Sequence, residues 1–270
     1  MKPIVSIIIP CYKTEKTLSE TLQSVLDQNF NEWEALIIND GSPDNLEAIA
    51  IEWAHKDARF KYFKKENGGL GSARNYGISH AVGEFILPLD SDNKIRPNFV
   101  KNALKVFKTK SEVGVVYGDA MRFGEENSIW NVGDFDVHRI LEHNYIDACA
   151  IIRKSVFDLV GYYDCNMPFQ GHEDWDFWLS VVASPYEFCY LKEITFDYRV
   201  SKNSMINSFN SVMLNKNTEF IRKKHYNSYV NSFLELSKKS KVSEKDLLYS
   251  FTAKQLLLVI WSRIKKRFLK

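Results

Sequence analysis

Short apolar runs alternate along the first half of the chain with stretches in which apolar residues recur every three or four positions. Val5-Ser6-Ile7-Ile8-Ile9, bounded by Pro10, reads as a buried first strand, and Leu18, Leu22, Val25 and Leu26 then recur at helical spacing behind Thr14 as an N-cap. Residues 34–38 give a second strand. Ser42-Pro43 then offers an N-cap followed by a proline at the first helical position, ahead of Leu46, Ile49, Ala50 and Trp53. The alternation continues with strand 60–63, helix 72–81, strand 84–89, helix 98–107 and strand 113–117. Strands alternating with helices predict an α/β domain built on a doubly wound, mainly parallel sheet. After about residue 120 the pattern loosens into a strand-like 146–153, a helix 173–183 and strand-like 188–191 and 195–200. From about Ser208 onward it is helical and basic.

Composition narrows the class. A chain of 270 residues with 45% hydrophobic content suits one sizeable α/β domain with an extension. Cys11, Cys149, Cys165 and Cys189 lie far apart without a CxxC or Cys/His cluster, so neither a disulfide framework nor a zinc site is indicated, and a reducing cytosol fits. The apolar run ending at Pro10 is too short for a signal peptide. No stretch approaches the roughly 20 apolar residues of a membrane span. The net charge of +2 conceals an asymmetry: residues 216–270 carry +10 and residues 1–215 carry −8. An acidic body and a basic tail imply different partners for each.

In doubly wound sheets ligands bind outside the carboxyl ends of the strands. Those ends are Pro10-Cys11-Tyr12, Asn39-Asp40-Gly41-Ser42, the glycine turn Asn67 to Asn75 after strand three, and Asp90-Ser91-Asp92. The Asp pair closes the apolar run Phe85-Ile86-Leu87-Pro88-Leu89, where it serves either as a turn or N-cap or as oxygen ligands for Mg²⁺ or Mn²⁺ beside substrate phosphates. Asp40 is either an ordinary Asp-Gly turn residue or an acceptor for a base imide or ribose hydroxyl. Arg74 replaces the third glycine of a dinucleotide fingerprint, which disfavours a Rossmann dehydrogenase. It leaves a guanidinium able to reach a nucleotide or to make a surface salt bridge. No P-loop is present. His172-Glu173-Asp174-Trp175 is not HExxH; its acids either answer a helix dipole or include a partly desolvated general base, with aromatics to stack on sugars. Arg199 and the hydroxyls after it suit either a solvated loop or phosphate. The run Leu256 to Trp261 followed by Arg263, Lys265, Lys266, Arg267 and Lys270 suits an anionic bilayer surface, or docking on the body or on a second copy in a homodimer. Nucleic acid is not an expected partner, given the acidic body.

Taken together, Ser6 to Tyr12, Asn39 to Ser42, Gly69 to Asn75, Gly83 to Asp92, Glu173-Asp174-Trp175 and Tyr198-Arg199 resemble family-two glycosyltransferases of the GT-A type, in the family's order, over about residues 4–204. The resemblance implies a GT-A, Rossmann-like catalytic domain over 1–207, with a nucleotide-sugar half at 1–119 and an acceptor half at 120–207, and a basic helical extension at 208–270. It implies that Pro10, Tyr12 and Asp40 cradle the base, Arg74 contacts the nucleotide, and Asp90 and Ser91 face the donor. Asp92, with Asp90, would bind Mn²⁺ or Mg²⁺. Asp174 would be the catalytic base with Glu173 as its substitute, His172 and Trp175 would meet the acceptor, and Arg199 and Ser204 would close over the diphosphate. Asn93 stands where a further acid is often seen, and Lys202-Asn203 departs from the usual loop, which leaves metal preference and loop contacts open.

The expected activity is therefore inverting, hexosyltransferase-like transfer from a nucleotide-sugar, UDP-linked, to a hydroxyl of a glycan or lipid-linked glycan, in cell-surface polysaccharide or glycoconjugate synthesis. The expected location is the cytoplasm, at the inner face of the cytoplasmic membrane if the tail binds it. A sugar-1-phosphate nucleotidyltransferase is the alternative enzyme, although its glycine-rich loop after strand one is missing from Pro10-Cys11-Tyr12-Lys13-Thr14. A non-catalytic nucleotide-sugar-binding or membrane-recruitment module is the alternative from another class.

Overall fold

The computed structural model describes residues 2–202 and 209–240. Ser204 and the basic segment 255–270 lie outside these residues, as do the diphosphate-loop and membrane or homodimer expectations attached to them. The chain divides into two compact units, residues 1–221 and 222–270. The first therefore runs past residue 207 and takes in most of helix α8 (Ser211–Lys224). The second holds helix α9 (Tyr226–Ser240) among its described residues.

Strand β1 (Val5–Cys11) is buried along its whole length because it lies between two parallel neighbours, β2 (Trp33–Asp40) and β4 (Phe85–Pro88). A strand covered on both faces needs apolar residues throughout, which is why its sequence shows a run and no alternation. Strand β3 (Phe60–Lys65) joins β2 in parallel at the edge of the sheet, and its side chains are correspondingly half exposed. Beyond β4 the sheet continues through β8 (Ile151–Arg153), β6 (Val113–Gly124), β9 (Glu187–Val200) and β5 (Lys94–Ile95), with β7 (Ser128–Trp130) paired to β6. The long β6–β9 pair is again parallel, whereas β8, β5 and β7 pair antiparallel. Helices α1 (Leu18–Leu26), α2 (Leu46–Lys56), α3 (Leu70–His80) and α4 (Phe99–Thr109) connect the strands of the first half. Ile7, Ile9, Leu22, Ile37, Leu87 and Phe99 form the centre of its core.

Several local expectations change. Thr14 does not cap α1: its carbonyl accepts from Thr17 and Leu18 in a preceding turn, and Thr17 occupies the cap position. Ser42 does not cap α2, which starts three residues later behind Asn45. Its hydroxyl instead accepts from Lys13 N at 2.7 Å and donates to Asp44 at 2.6 Å, joining the loops after β1 and β2. The strand expected over 146–153 shrinks to Ile151–Arg153, and Asp147 in the segment before it lines the cleft described below. The two strands expected at 188–191 and 195–200 are one. Gly118 pairs with Leu191 and Asp119 with Ile194, so Lys192 and Glu193 form a bulge that looked like an interruption. Helices α5 (Val137–Glu142) and α6 (Lys154–Val160) were too short for periodicity to show. No described helix is long and apolar enough to cross a membrane.

Helix α3 sits directly on β1 and β2 at Gly77, where a β-carbon would run into Ile8 Cγ2 and lie 3.1 Å from Ile38 Cγ1. Both isoleucines are fully buried and cannot retreat. The Gly77→Ala substitution should therefore destabilise the fold by about 1–3 kcal/mol through overpacking, despite alanine's better helix propensity. Urea unfolding measures this directly, and a stabilised variant would contradict the close helix–sheet approach.

Candidate active site

The carboxyl ends of β1, β2 and β4, the start of α3 and the start of α7 (Glu173–Val182) open on one cleft of about 1250 Å³. Pro10, Tyr12, Asp40, Arg74, Asp90, Ser91, Asp92, His172, Glu173, Asp174, Trp175 and Arg199 all line it. Every expected site residue among the described residues is thus on the same wall system, across a sequence span of almost two hundred positions.

At the β2 end, Asp40 accepts from Lys65 Nζ at 2.6 Å and from the backbone N–H groups of Gly68 and Gly69 at 3.0 and 2.8 Å. This pins the glycine turn against β2. A carboxylate offers about four acceptor positions, so one is still available to a ligand. Gly69 has φ +87, a conformation that favours glycine, and a β-carbon there would collide with Gln170. Gln170 in turn accepts from Leu70 N at 3.1 Å and supplies the cap that α3 lacks in its own sequence. Tyr12 stands 45% exposed at the rim, able to cover a planar ring, while Ser91 is buried and its carbonyl accepts from Thr17 Oγ1 at 2.9 Å.

In the middle of the cleft, Arg74 Nη2 donates to Asp90 Oδ1 at 2.7 Å. Burial opposes the guanidinium's charge, but Asp90 and the other acids around it outweigh burial and raise its pKa. Asp92 is pushed up to about 6, first by burial and then by the neighbouring Asp90, with Arg199 pulling the other way. Arg199 itself donates from its backbone to Asn93 Oδ1 at 2.9 Å, from Nε to the Asp92 carbonyl at 3.0 Å, and from Nη2 to Glu20. Asn93, the position at which an acid was expected, is thus a buried anchor for this arginine.

At the far end, Glu173 and Asp174 open α7. Glu173 is 2% exposed and accepts from Gly171 N at 2.8 Å, which makes it a strap for its own loop. Asp174 is half-buried and opens to the cleft, held by Asn144 Nδ2 at 2.9 Å and by Trp175 N at 2.8 Å. Its pKa is raised, chiefly by burial, against the pull of Arg74 and of those two hydrogen bonds. Trp175 is 4% exposed and its indole N–H donates to the Ile140 carbonyl at 2.7 Å, so it anchors α7 and has little surface left for the cleft it lines. Sequence reasoning missed Asn144, Asp147, Gln170 and Asn217. Asp147 lies in the wall between the two ends, its pKa raised by burial and then by Asp90.

Among the described residues no three His, Cys, Asp or Glu converge on a metal site. The donor set around Asp92 nevertheless suits a divalent ion completed by ligand oxygens. No described side chain donates a hydrogen bond to the Asp92 carboxylate, and its crowding by Asp90 is what a cation would relieve.

The sequence model of glycosyl transferase family 2 matches residues 6–161. An uncharacterized glycosyltransferase of Rickettsia typhi is 28% identical over 262 residues, covering 92% of this chain and 77% of its own length. The minor teichoic acid biosynthesis protein GgaB of Bacillus subtilis is 29% identical over 225 residues, which is 78% of this chain and 24% of that protein. The chain similarly spans 33% of an uncharacterized glycosyltransferase of Rickettsia felis. Among solved structures, S. aureus TarS 1–349 in complex with UDP-GlcNAc has a TM-score of 0.64 at 19% identity, covering 92% of this chain and 78% of that one. A mannosyltransferase from Pyrobaculum calidifontis in complex with GDP-Man and Mn²⁺ has a TM-score of 0.58 at 14% identity, covering 98% and 80%.

The raised pKa of Asp92 has a consequence for stability. Because the folded value of about 6 exceeds the ordinary 3.8, ionisation costs stability above pH 6, and the cost fades as pH falls towards 4. In a chelator, Asp92→Asn should therefore melt at a higher temperature than the parent at pH 8, with the gain shrinking towards pH 4. A pH-independent difference in melting temperature would contradict the charge crowding.

Proposed function

The chain belongs to glycosyl transferase family 2 and has a GT-A type fold, and from that premise we propose that it transfers a sugar, with inversion, from a UDP-sugar to a hydroxyl of a glycan or lipid-linked glycan. The observation that carries the reading is one cleft that holds the paired Arg74 and Asp90 in its middle, beside the strand ends bearing Asp40 and Asp92, and a held, half-buried acid, Asp174, beyond them. The choice of UDP is supported by the UDP-GlcNAc complex of TarS, and a surface-polymer acceptor by the name of GgaB. GDP-Man in the archaeal mannosyltransferase makes a guanine donor the comparison to run beside it.

In this scheme Pro10 and Tyr12 flank the base, and Asp40 accepts from it with its remaining lone pair. Arg74 orients the donor from beneath, and Arg199, once released from Glu20, would reach the diphosphate. Asp174 takes the proton of the acceptor hydroxyl as that oxygen bonds to the anomeric carbon. The bond to the diphosphate breaks as the new one forms, and its electron pair leaves on the nucleoside diphosphate. Attack from the face opposite the leaving group inverts the anomeric centre. A carboxylate with a raised pKa is the better acceptor for that proton near neutral pH. Asp92, with Asp90 beside it, would hold Mn²⁺ or Mg²⁺, which when bound offsets negative charge on the diphosphate.

Asp174→Asn should lower transfer by roughly 10²–10⁴-fold, the usual weight of a general base, while donor binding changes little. Product release from a panel of nucleotide-sugars, with UDP binding followed by calorimetry, separates the two effects. Near-normal turnover by this variant would sink the assignment of the base. Asp92→Ala should instead weaken Mn²⁺-dependent UDP binding, and unchanged binding would remove Asp92 from the donor site.

A further inference from the structure

Asn217, on α8, is fully buried, and its side-chain amide is committed to the loop that leads into α7. Its Oδ1 accepts from Phe169 N at 3.0 Å, its Nδ2 donates to the Phe169 carbonyl at 2.7 Å, and the same Nδ2 lies 3.1 Å from His172 Nδ1. The orientation of this amide is dictated by its partners. Phe169 N can only donate and Phe169 O can only accept, so exchanging Oδ1 and Nδ2 would set donor against donor and acceptor against acceptor. The second Nδ2 hydrogen therefore faces His172 Nδ1, which must present a lone pair. That places the ring's proton on Nε2.

The surroundings keep the ring in this state. Burial lowers the pKa of His172, and Glu173, the charged group acting on the ring, works in the opposite direction without overcoming it. The other groups against the ring are neutral: Trp175 and Phe209, at ring-centroid distances of 6.0 and 5.2 Å, and Asn217 itself. A second proton on Nδ1 would also point at the Asn217 amino group. His172 forms part of the cleft wall next to Glu173 and Asp174, and its Nε2 has no hydrogen-bond partner among the described residues.

We propose that Asn217 is a positioning residue that fixes His172 in the Nε2–H tautomer, so that His172 offers an N–H donor to a hydroxyl oxygen of the acceptor beside Asp174. The acceptor half of this statement rests on the glycosyl-transfer reading of the cleft; the tautomer does not. A neutral donor flanked by two acids suits a neutral oxygen and disfavours a phosphate, so the group met here is a sugar hydroxyl. The feature also gives a helix beyond residue 207 a specific task. It holds the loop that leads into α7, the helix bearing Asp174, and sets the chemistry of that acid's neighbour His172.

The test uses the full chain labelled with ¹⁵N-histidine, with the His172 imidazole signals identified by their loss in His172→Gln. In the parent, His172 should show the Nε2–H tautomer and titrate below an ordinary histidine. In Asn217→Asp the new carboxylate accepts from Nδ1–H instead, so the tautomer should switch and the midpoint rise by about 1–3 pH units. An Nδ1–H tautomer in the parent overturns the assignment whatever the chain's activity, and this measurement needs no variant to fold. In transfer assays at pH 7.5, Asn217→Asp should raise the acceptor KM about tenfold, the weight of one hydrogen bond, with donor binding unchanged. His172→Gln, which can still accept from Asn217 and offer an N–H to the cleft, should retain more activity than His172→Leu. Equal acceptor KM in all of these overturns the acceptor role, whereas absence of transfer by the parent counts against the glycosyl-transfer reading alone.

Discussion

The cleft depends on one buried guanidinium. Arg74 is 3% exposed, yet it remains charged because Asp90, Asp174 and Glu173 surround it. It also moderates Asp147, so a single cation holds together acids drawn from the end of β4, the segment before β8 and the start of α7. Breaking a buried pair by removing one partner typically costs about 3–5 kcal/mol, because the survivor is left uncompensated. Here the survivors are several. Among the described residues Arg74 Nε has no partner, an unmet donor of a kind that costs about 1–3 kcal/mol, so the arrangement is not optimised for stability. The acids here outnumber the one arginine, so a bound cation is what would complete the balance.

The first half of the fold was legible because its periodicities arise from burial. Continuous apolar runs correspond to β1 and β2, covered on both faces, and three- and four-residue spacing corresponds to α1 and α4, covered on one. Boundaries were less legible, since they depend on what each polar residue bonds. Ser42 has the chemistry of a cap but is engaged by Lys13 and Asp44, and nothing local distinguishes the two outcomes. In the second half the pattern weakened for a different reason. Strand β9 carries Lys192 and Glu193 as a bulge, with a further shift at Thr195, and the polar residues that accommodate the shift erase the strand signal.

The same distinction runs through the cleft. Residues at strand ends could be singled out because a carboxylate after an apolar run has few reasons to be there, and Asp40, Asp90 and Asp92 stand in that position. Asn144, Asp147, Gln170 and Asn217 carry no such signal. Each acts across a long span of chain: Gln170 caps a helix a hundred residues before it, and Asn144 holds an acid thirty residues after it. Polar residues outside any motif become informative only once the fold shows what they face. Trp175 illustrates the converse, an aromatic marked by its neighbours for sugar stacking whose N–H is tied to Ile140.

Asp174 shows how these levels meet in one group. Its place in the first turn of α7 favours the anion, because the helix dipole and the Trp175 N–H both stabilise negative charge there. Asn144 adds a second donor, and Arg74 adds an attractive field. Burial and the charge of Asp90 nevertheless prevail and raise the pKa. The opposing contributions leave a carboxylate that is oriented by two hydrogen bonds and more basic than an exposed aspartate. Exposure to bulk water would remove the burial that makes it basic, and loss of Asn144 would remove the orientation. A proton acceptor for a sugar hydroxyl needs both, and the two requirements are met by different parts of the chain, the packing of α7 and the loop before β8.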